Sequence, residues 1–140
     1  MTKSIRIVYV CAGLAALAGC APSTKAIIDN RDSAVQLRSF QQRTFDTADK
    51  EQTLRSVIST LQDLSFVVDK ADATLGTVSA TKLPGYQLRM TVTARPRGTT
   101  QMLVRANAQF MEKAVDDPKP YQDFFAALEK SMFLTAHQVD

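Results

Sequence analysis

The chain has 140 residues and a mass of 15.4 kDa, with 45% hydrophobic and 22% charged residues. These ordinary proportions exclude global disorder and a collagen-like structure and fit one domain. The formal net charge of +3 and the pI near 9.0 would point to a polyanionic partner only if the excess charge stayed with the folded part.

The N-terminus decides that question. Met1 to Arg6 is a short segment with two cations, Lys3 and Arg6, and Ile7 to Ala18 follows without a charge. A run of about a dozen apolar residues is too short to span a bilayer, which takes about 20, and has the length of a secretory core segment. It ends in Leu17-Ala18-Gly19-Cys20, which resembles the bacterial lipobox. That resemblance implies a signal peptide over residues 1–19, cleavage between Gly19 and Cys20, a diacylglycerol on the Cys20 sulfur and a fatty acyl group such as palmitate on its amino group. Several chains at about 0.8 kcal/mol per buried CH₂ make such an anchor stable. With Ala21 in place of the aspartate of inner-membrane retention, the implied address is the periplasmic face of the outer membrane. Losing Lys3 and Arg6 leaves 15 Lys and Arg against 14 Asp and Glu, too balanced to hold nucleic acid through a global field. Cys11 leaves as well, so the acylated Cys20 forms no disulfide and stability must come from the core.

Residues 20–34, with Pro22, Ser23 and mixed charge, read as a lipidated tether of roughly 20 Å r.m.s. reach and at most about 50 Å. The rest, 35–140, reads as one periplasmic domain of sufficient size to fold without staples. Val35 to Phe45 carries a weak pattern, read as an extra N-terminal strand. Asp46, Thr47 and Asp49 then offer capping oxygens, and Leu54, Val57, Ile58, Leu61 and Leu64 mark one face of a helix. Phe66 to Val68 predicts a short strand closed by a turn region from Asp69 to Gly76, and Thr77 to Lys82 a second strand. Pro84-Gly85 marks a turn.

Two long strands follow. Tyr86, Leu88, Met90, Val92 and Ala94 alternate with polar residues, and so do Met102, Val104, Ala106, Ala108 and Phe110. Period-2 alternation implies one buried and one wet face, and Pro96-Arg97-Gly98 a hairpin with Gly98 in the left-handed region. Past Asp116 to Pro120, the residues Tyr121, Phe124, Phe125, Leu128 and Met132 form a helical stripe suited to packing on a sheet. The expected fold is α+β: a two-layer sandwich with a four-stranded antiparallel meander and two helices on one face, in the order helix, four strands, helix.

The run Thr53 to Asp69, then Leu75 to Thr81, resembles the repeat unit of BamC-type lipoproteins, components of the outer-membrane β-barrel assembly machinery. In that unit a helix ends in a leucine, a small residue and an aromatic, enters a short strand, turns through acidic residues and resumes at Gly-x-Val. About 30 residues carry the resemblance, and the chain has room for one such unit instead of two. It implies a BamC-like fold, and because its motif is mainly structural it speaks to a fold far more than to an activity.

Catalytic chemistry finds little material. His137 is the sole histidine and lies near the chain end, a poor position for a base. No His or Cys cluster suggests a metal, Asp69 and Asp72 lack the spacing of a Ca²⁺ loop, and the five glycines form no phosphate-binding motif. Asp116 and Asp117 fit turn initiation and capping beside Pro118. The expectation is a protein with no enzymatic activity, cofactor or metal. One distribution stands out. Between Ala73 and Met111 no acid occurs, while Lys82, Arg89, Arg95, Arg97 and Arg105 do. Alternation puts Arg89, Arg95 and Arg105 on the wet face, a candidate binding face. If Arg95 pairs with Thr99, Arg89 faces Arg105, an unfavourable pairing unless an anion meets it. The leading expectation is a non-enzymatic binding or accessory module of an envelope complex, held by its lipid anchor to the membrane and docked on an envelope protein. The alternatives are an envelope-integrity lipoprotein contacting peptidoglycan or lipopolysaccharide, and a carrier of a small apolar ligand lined by Met90, Met102, Met132 and the phenylalanines.

Overall fold

The chain divides into two units, Met1–Ser33 and Ala34–Asp140. A computed structural model describes residues 34–82 and 87–137, with side chains to residue 133. The expected signal segment 1–19, the expected Gly19–Cys20 cleavage site, Cys20 itself, the expected tether 20–34 apart from Ala34, the expected Pro84-Gly85 turn and the His137 side chain lie outside the described residues.

The second unit is α+β with an antiparallel sheet. Its order is α1 (34–41), β1 (Gln42–Phe45), α2 (Lys50–Asp63), β2 (Phe66–Asp72), β3 (Thr77–Lys82), β4 (Leu88–Arg97), β5 (Gln101–Phe110), β6 (Lys113–Ala114) and α3 (Lys119–His137). Strands β2 to β5 form the expected meander. The sheet nevertheless has six strands, in the order β1-β5-β4-β3-β2 with β6 also on β5. The described elements include three helices where two were expected.

Each departure has a local cause. Within 34–41, Leu37, Phe40 and Gln41 are half-buried, a helical spacing, and the Phe40 ring packs 5.9 Å from Tyr121. The extra N-terminal strand therefore shrinks to four residues at Gln42. Strand β2 runs four residues past Val68, its register shifting between Val68 and Lys70; a bulge and charged residues are tolerated there because β2 is an edge. Four- and two-residue strands such as β1 and β6 are too short to display a period.

The core follows the alternation. Val78 and Ala80 of β3, Met90, Val92 and Ala94 of β4, and Met102, Val104, Ala106 and Ala108 of β5 are buried. They share one cluster with Leu54, Val57 and Leu61 of α2 and with Tyr121, Phe124, Phe125 and Leu128 of α3. Helix α2 is capped by Asp49, whose Oδ1 accepts from Gln52 N–H at 2.9 Å. It stops where Ser65 turns left-handed at φ 66° and donates its N–H to Gln62 O.

A buried hydroxyl joins the two layers. Past Gln42↔Arg105 strand β1 leaves β5, and β6 joins at Gln109↔Ala114. At the next position Val115 N–H donates to Ala108 O at 3.0 Å, but the reciprocal bond is opened by the phenol of Tyr121. Its Oη accepts from Ala108 N–H at 3.1 Å and donates to Val115 O at 2.8 Å. Gln41 Nε2 donates to the same oxygen at 3.3 Å.

Candidate functional site

The sheet face opposite the core cluster is polar. Parity assigns to it Thr77, Ser79 and Thr81 of β3, Arg89, Thr91, Thr93, Arg95 and Arg97 of β4, and Gln101, Leu103, Arg105, Asn107 and Gln109 of β5. From β1 it takes Gln42 and Thr44. Hydroxyls pair across the strands, Ser79 with Thr91 at 3.3 Å, and Thr81 donates to Asp69 Oδ2 at 2.6 Å.

The register corrects the expected arrangement of arginines. Arg95 faces Leu103 rather than Thr99, Arg89 faces Gln109, and Arg105 faces Thr93. The cause is the turn. Arg97 pairs with Gln101, so three residues, Gly98 to Thr100, close the hairpin, with Gly98 left-handed at φ 67°. The pivot sits two residues further along than expected, which moves every cross-strand partner by four. No like-charged pair results.

The sheet sorts the candidates into one group and one outlier. Arg95 and Arg105 are diagonal neighbours with Cα atoms about 8 Å apart, whereas Arg89 lies about 20 Å from Arg95 along β4. Arg97, absent from the predicted site, joins the group at about 7 Å from Arg95. Its Nη1 reaches across β5 and donates to Thr44 Oγ1 at 3.0 Å. Arg105 Nη2 donates to Gln42 Oε1 at 3.1 Å. Both acceptors stand on β1, two residues apart. The short N-terminal strand thus holds two guanidinium groups in place, and it does so with neutral oxygens that leave their charge uncompensated.

The side chains of Arg89 and Arg95 form no hydrogen bond or ion pair with described residues. Asp46 bounds the corner and accepts from Gln101 Nε2 at 2.7 Å. All four arginines are exposed. Guanidinium forks with free N–H groups match carboxylate or phosphate oxygens in two-point contacts. The signal that could have found Arg97 was its parity with Arg95, obscured by the intervening Pro96.

The described recesses offer no comparable focus. One of about 420 Å³ is lined by Asp49, Glu51, Arg55 and serines of α2 together with Ser131, and is open and polar. A second, of about 200 Å³, lies between Leu64, Phe66, Leu88 and Pro120, with Lys82, Asp117, Lys119 and Asp123 at its sides. Its Lys119 is committed: hydrogen bonding to Asp123, reinforced by that carboxylate's charge, raises the pKa above its ordinary 10.5. Among the described residues no three of His, Cys, Asp or Glu gather as a metal site, and no helix is long and apolar enough to cross a membrane.

No protein-family model matches the chain, and no curated protein matches it.

Proposed function

We propose that the chain is an outer-membrane-anchored periplasmic lipoprotein, BamC-like in its domain, whose folded part acts as a non-enzymatic binding module of an envelope complex. The address rests on the lipobox Leu17-Ala18-Gly19-Cys20 and the short tether behind it. The binding role rests on one observation: Arg95, Arg97 and Arg105 share a sheet corner, and neutral groups on β1 hold two of them. Charges kept in place without a counter-ion favour an incoming acidic surface, because no internal ion pair has to be broken first. The partner is therefore read as an envelope protein presenting carboxylates. Of the residues offered for an apolar ligand, Met90, Met102, Phe124 and Phe125 are packed to at most 1% exposure, while Met132 is half-buried and Phe110 and Phe133 are exposed; the tight packing of the central four favours docking on the surface over carriage inside.

The test is crosslinking and affinity purification of the acylated protein from native membranes. Arg95→Glu with Arg105→Glu should reduce recovery of the partner about tenfold or more, since hydrogen bonds to charged groups contribute about 1.5–3 kcal/mol each. Arg89→Glu, at the other end of β4, should leave recovery near wild type. Equal recovery with the double variant would remove the corner from the reading. Steeply salt-dependent capture of lipopolysaccharide or peptidoglycan, in place of a protein, would move the reading to the envelope-integrity class.

A further inference from the structure

One side chain on the polar face does not share its chemistry. Of the residues that parity assigns there from β1, β3, β4 and β5, Leu103 alone is apolar. It is half-buried and stands apart from the core cluster, which lies on the other side of the sheet.

The register places Leu103 at the centre of the arginine corner. It faces Arg95 on β4 and Thr44 on β1, each with its Cα about 5 Å away. Arg105 is two residues along the same strand, at about 7 Å, and Arg97 lies on the diagonal at about 8 Å. Three guanidinium groups thus surround one apolar side chain. Asp46, which accepts from Gln101 Nε2 at 2.7 Å, bounds the area on the β1 side. An apolar centre inside a polar, charged rim is the anatomy of a protein-docking patch. Contact at such a centre excludes water from the charged bonds around it and strengthens them.

This arrangement selects among anions. A phosphate group would be met by the arginines alone and would gain nothing from Leu103. A peptide segment with an apolar side chain between two carboxylates would use all four residues. The spacing is set by the two guanidinium groups that β1 holds, Arg97 through Thr44 and Arg105 through Gln42. Arg97 pairs with Gln101, four residues from Arg105, so their Cα atoms are about 14 Å apart with Leu103 between them. In an extended segment, residues i, i+2 and i+4 share one face, and i to i+4 spans about 13 Å. We infer that the corner recognises an extended acidic segment of its partner, with carboxylates at i and i+4 on Arg97 and Arg105 and an apolar residue at i+2 on Leu103, an assignment that rests on the binding role proposed for this corner. Arg95, beside the centre, strengthens the field for both carboxylates.

The test uses full-length protein purified from membranes in detergent, and fluorescein-labelled decapeptides at low salt. The first peptide has Glu-Thr-Leu-Thr-Glu at its centre, and the second has serine in place of that leucine. The third has Glu-Leu-Thr-Thr-Glu, which turns the leucine away from the face of the carboxylates. By anisotropy the first should bind about fivefold more tightly than either control, the value of the exposed half of one leucine. Leu103→Thr should abolish that preference and retain binding, and Arg95→Glu with Arg105→Glu should abolish binding of all three. Equal affinity for the three peptides, lost with the arginine variant, would overturn the inference and leave the corner a binding site. Binding that is absent, or unchanged by the arginine variant, would overturn both. Inorganic phosphate displacing the first peptide at concentrations below that peptide's own Kd would assign the corner to a phosphorylated surface and overturn the inference as well.

Discussion

Replacing Tyr121 by phenylalanine tests how the two layers are joined, because it removes one oxygen and leaves the ring in place. That oxygen is inserted into the Ala108/Val115 pair, accepting from Ala108 N–H and donating to Val115 O. It sits on a residue 1% exposed, with the Ala108 backbone equally enclosed. Without it the Ala108 amide and the Val115 carbonyl are too far apart to bond directly, since a one-atom spacer has been removed. Each buried group left without a partner costs about 1–3 kcal/mol. Val115 is only half-buried and recovers part of its loss from solvent, so the sum is about 2–4 kcal/mol. For a domain of this size the total stability is of the order of 5–15 kcal/mol, and the effect should be plain in a urea unfolding curve. Hydrogen exchange gives the local reading, as the Ala108 amide should lose protection selectively. A Tyr121→Phe protein within about 0.5 kcal/mol of wild type, with Ala108 still protected, would refute the bridging role of the phenol.

Two further substitutions probe single atoms. Thr60 Oγ1 is buried on α2 without a hydrogen-bond partner among the described residues, so Thr60→Val, which exchanges the hydroxyl for a methyl of the same shape, should stabilise by about 1 kcal/mol; a lower urea midpoint would contradict this. Gly76, at φ 70°, lies so close to β4 that an added Cβ would collide with Ala94 O, while its own carbonyl accepts from Ala94 N–H. Gly76→Ala should therefore cost about 2 kcal/mol or more, and Gly98→Ala, equally left-handed but with open space around it, only the backbone term of about 1–2 kcal/mol. Equal midpoints for the two glycine variants would show that the contact with β4 is not what constrains Gly76.

How much of this was legible in the residues depends on element length. The ten-residue alternations of β4 and β5 and the stripes Leu54–Leu61 and Tyr121–Leu128 span several periods, so faces and core could be read directly. Strand β1 offers four residues and β6 two, less than a pattern needs; their places are set by the free edge of β5, a tertiary property. Strand β2 is legible only as far as Val68, because the bulge that follows inverts the alternation and hides its second half. The site inherits these errors. Parity, which needs only a strand, put Arg89, Arg95 and Arg105 on one face. Proximity needs the register, and a pivot displaced by two residues at Gly98 exchanged Arg89 for Arg97 in the group.

The same register decides which arginines a partner can meet together. Strands β4 and β5 are ten residues each, about 33 Å of sheet. Arg95, Arg97 and Arg105 stand toward the Gly98 end, and Arg89 lies about 20 Å from Arg95 along β4, more than two Debye lengths at physiological ionic strength, each about 8 Å. An acidic surface seated on the corner would be screened from Arg89, so Arg89→Glu separates a local contact at the corner from a general attraction to the cationic segment.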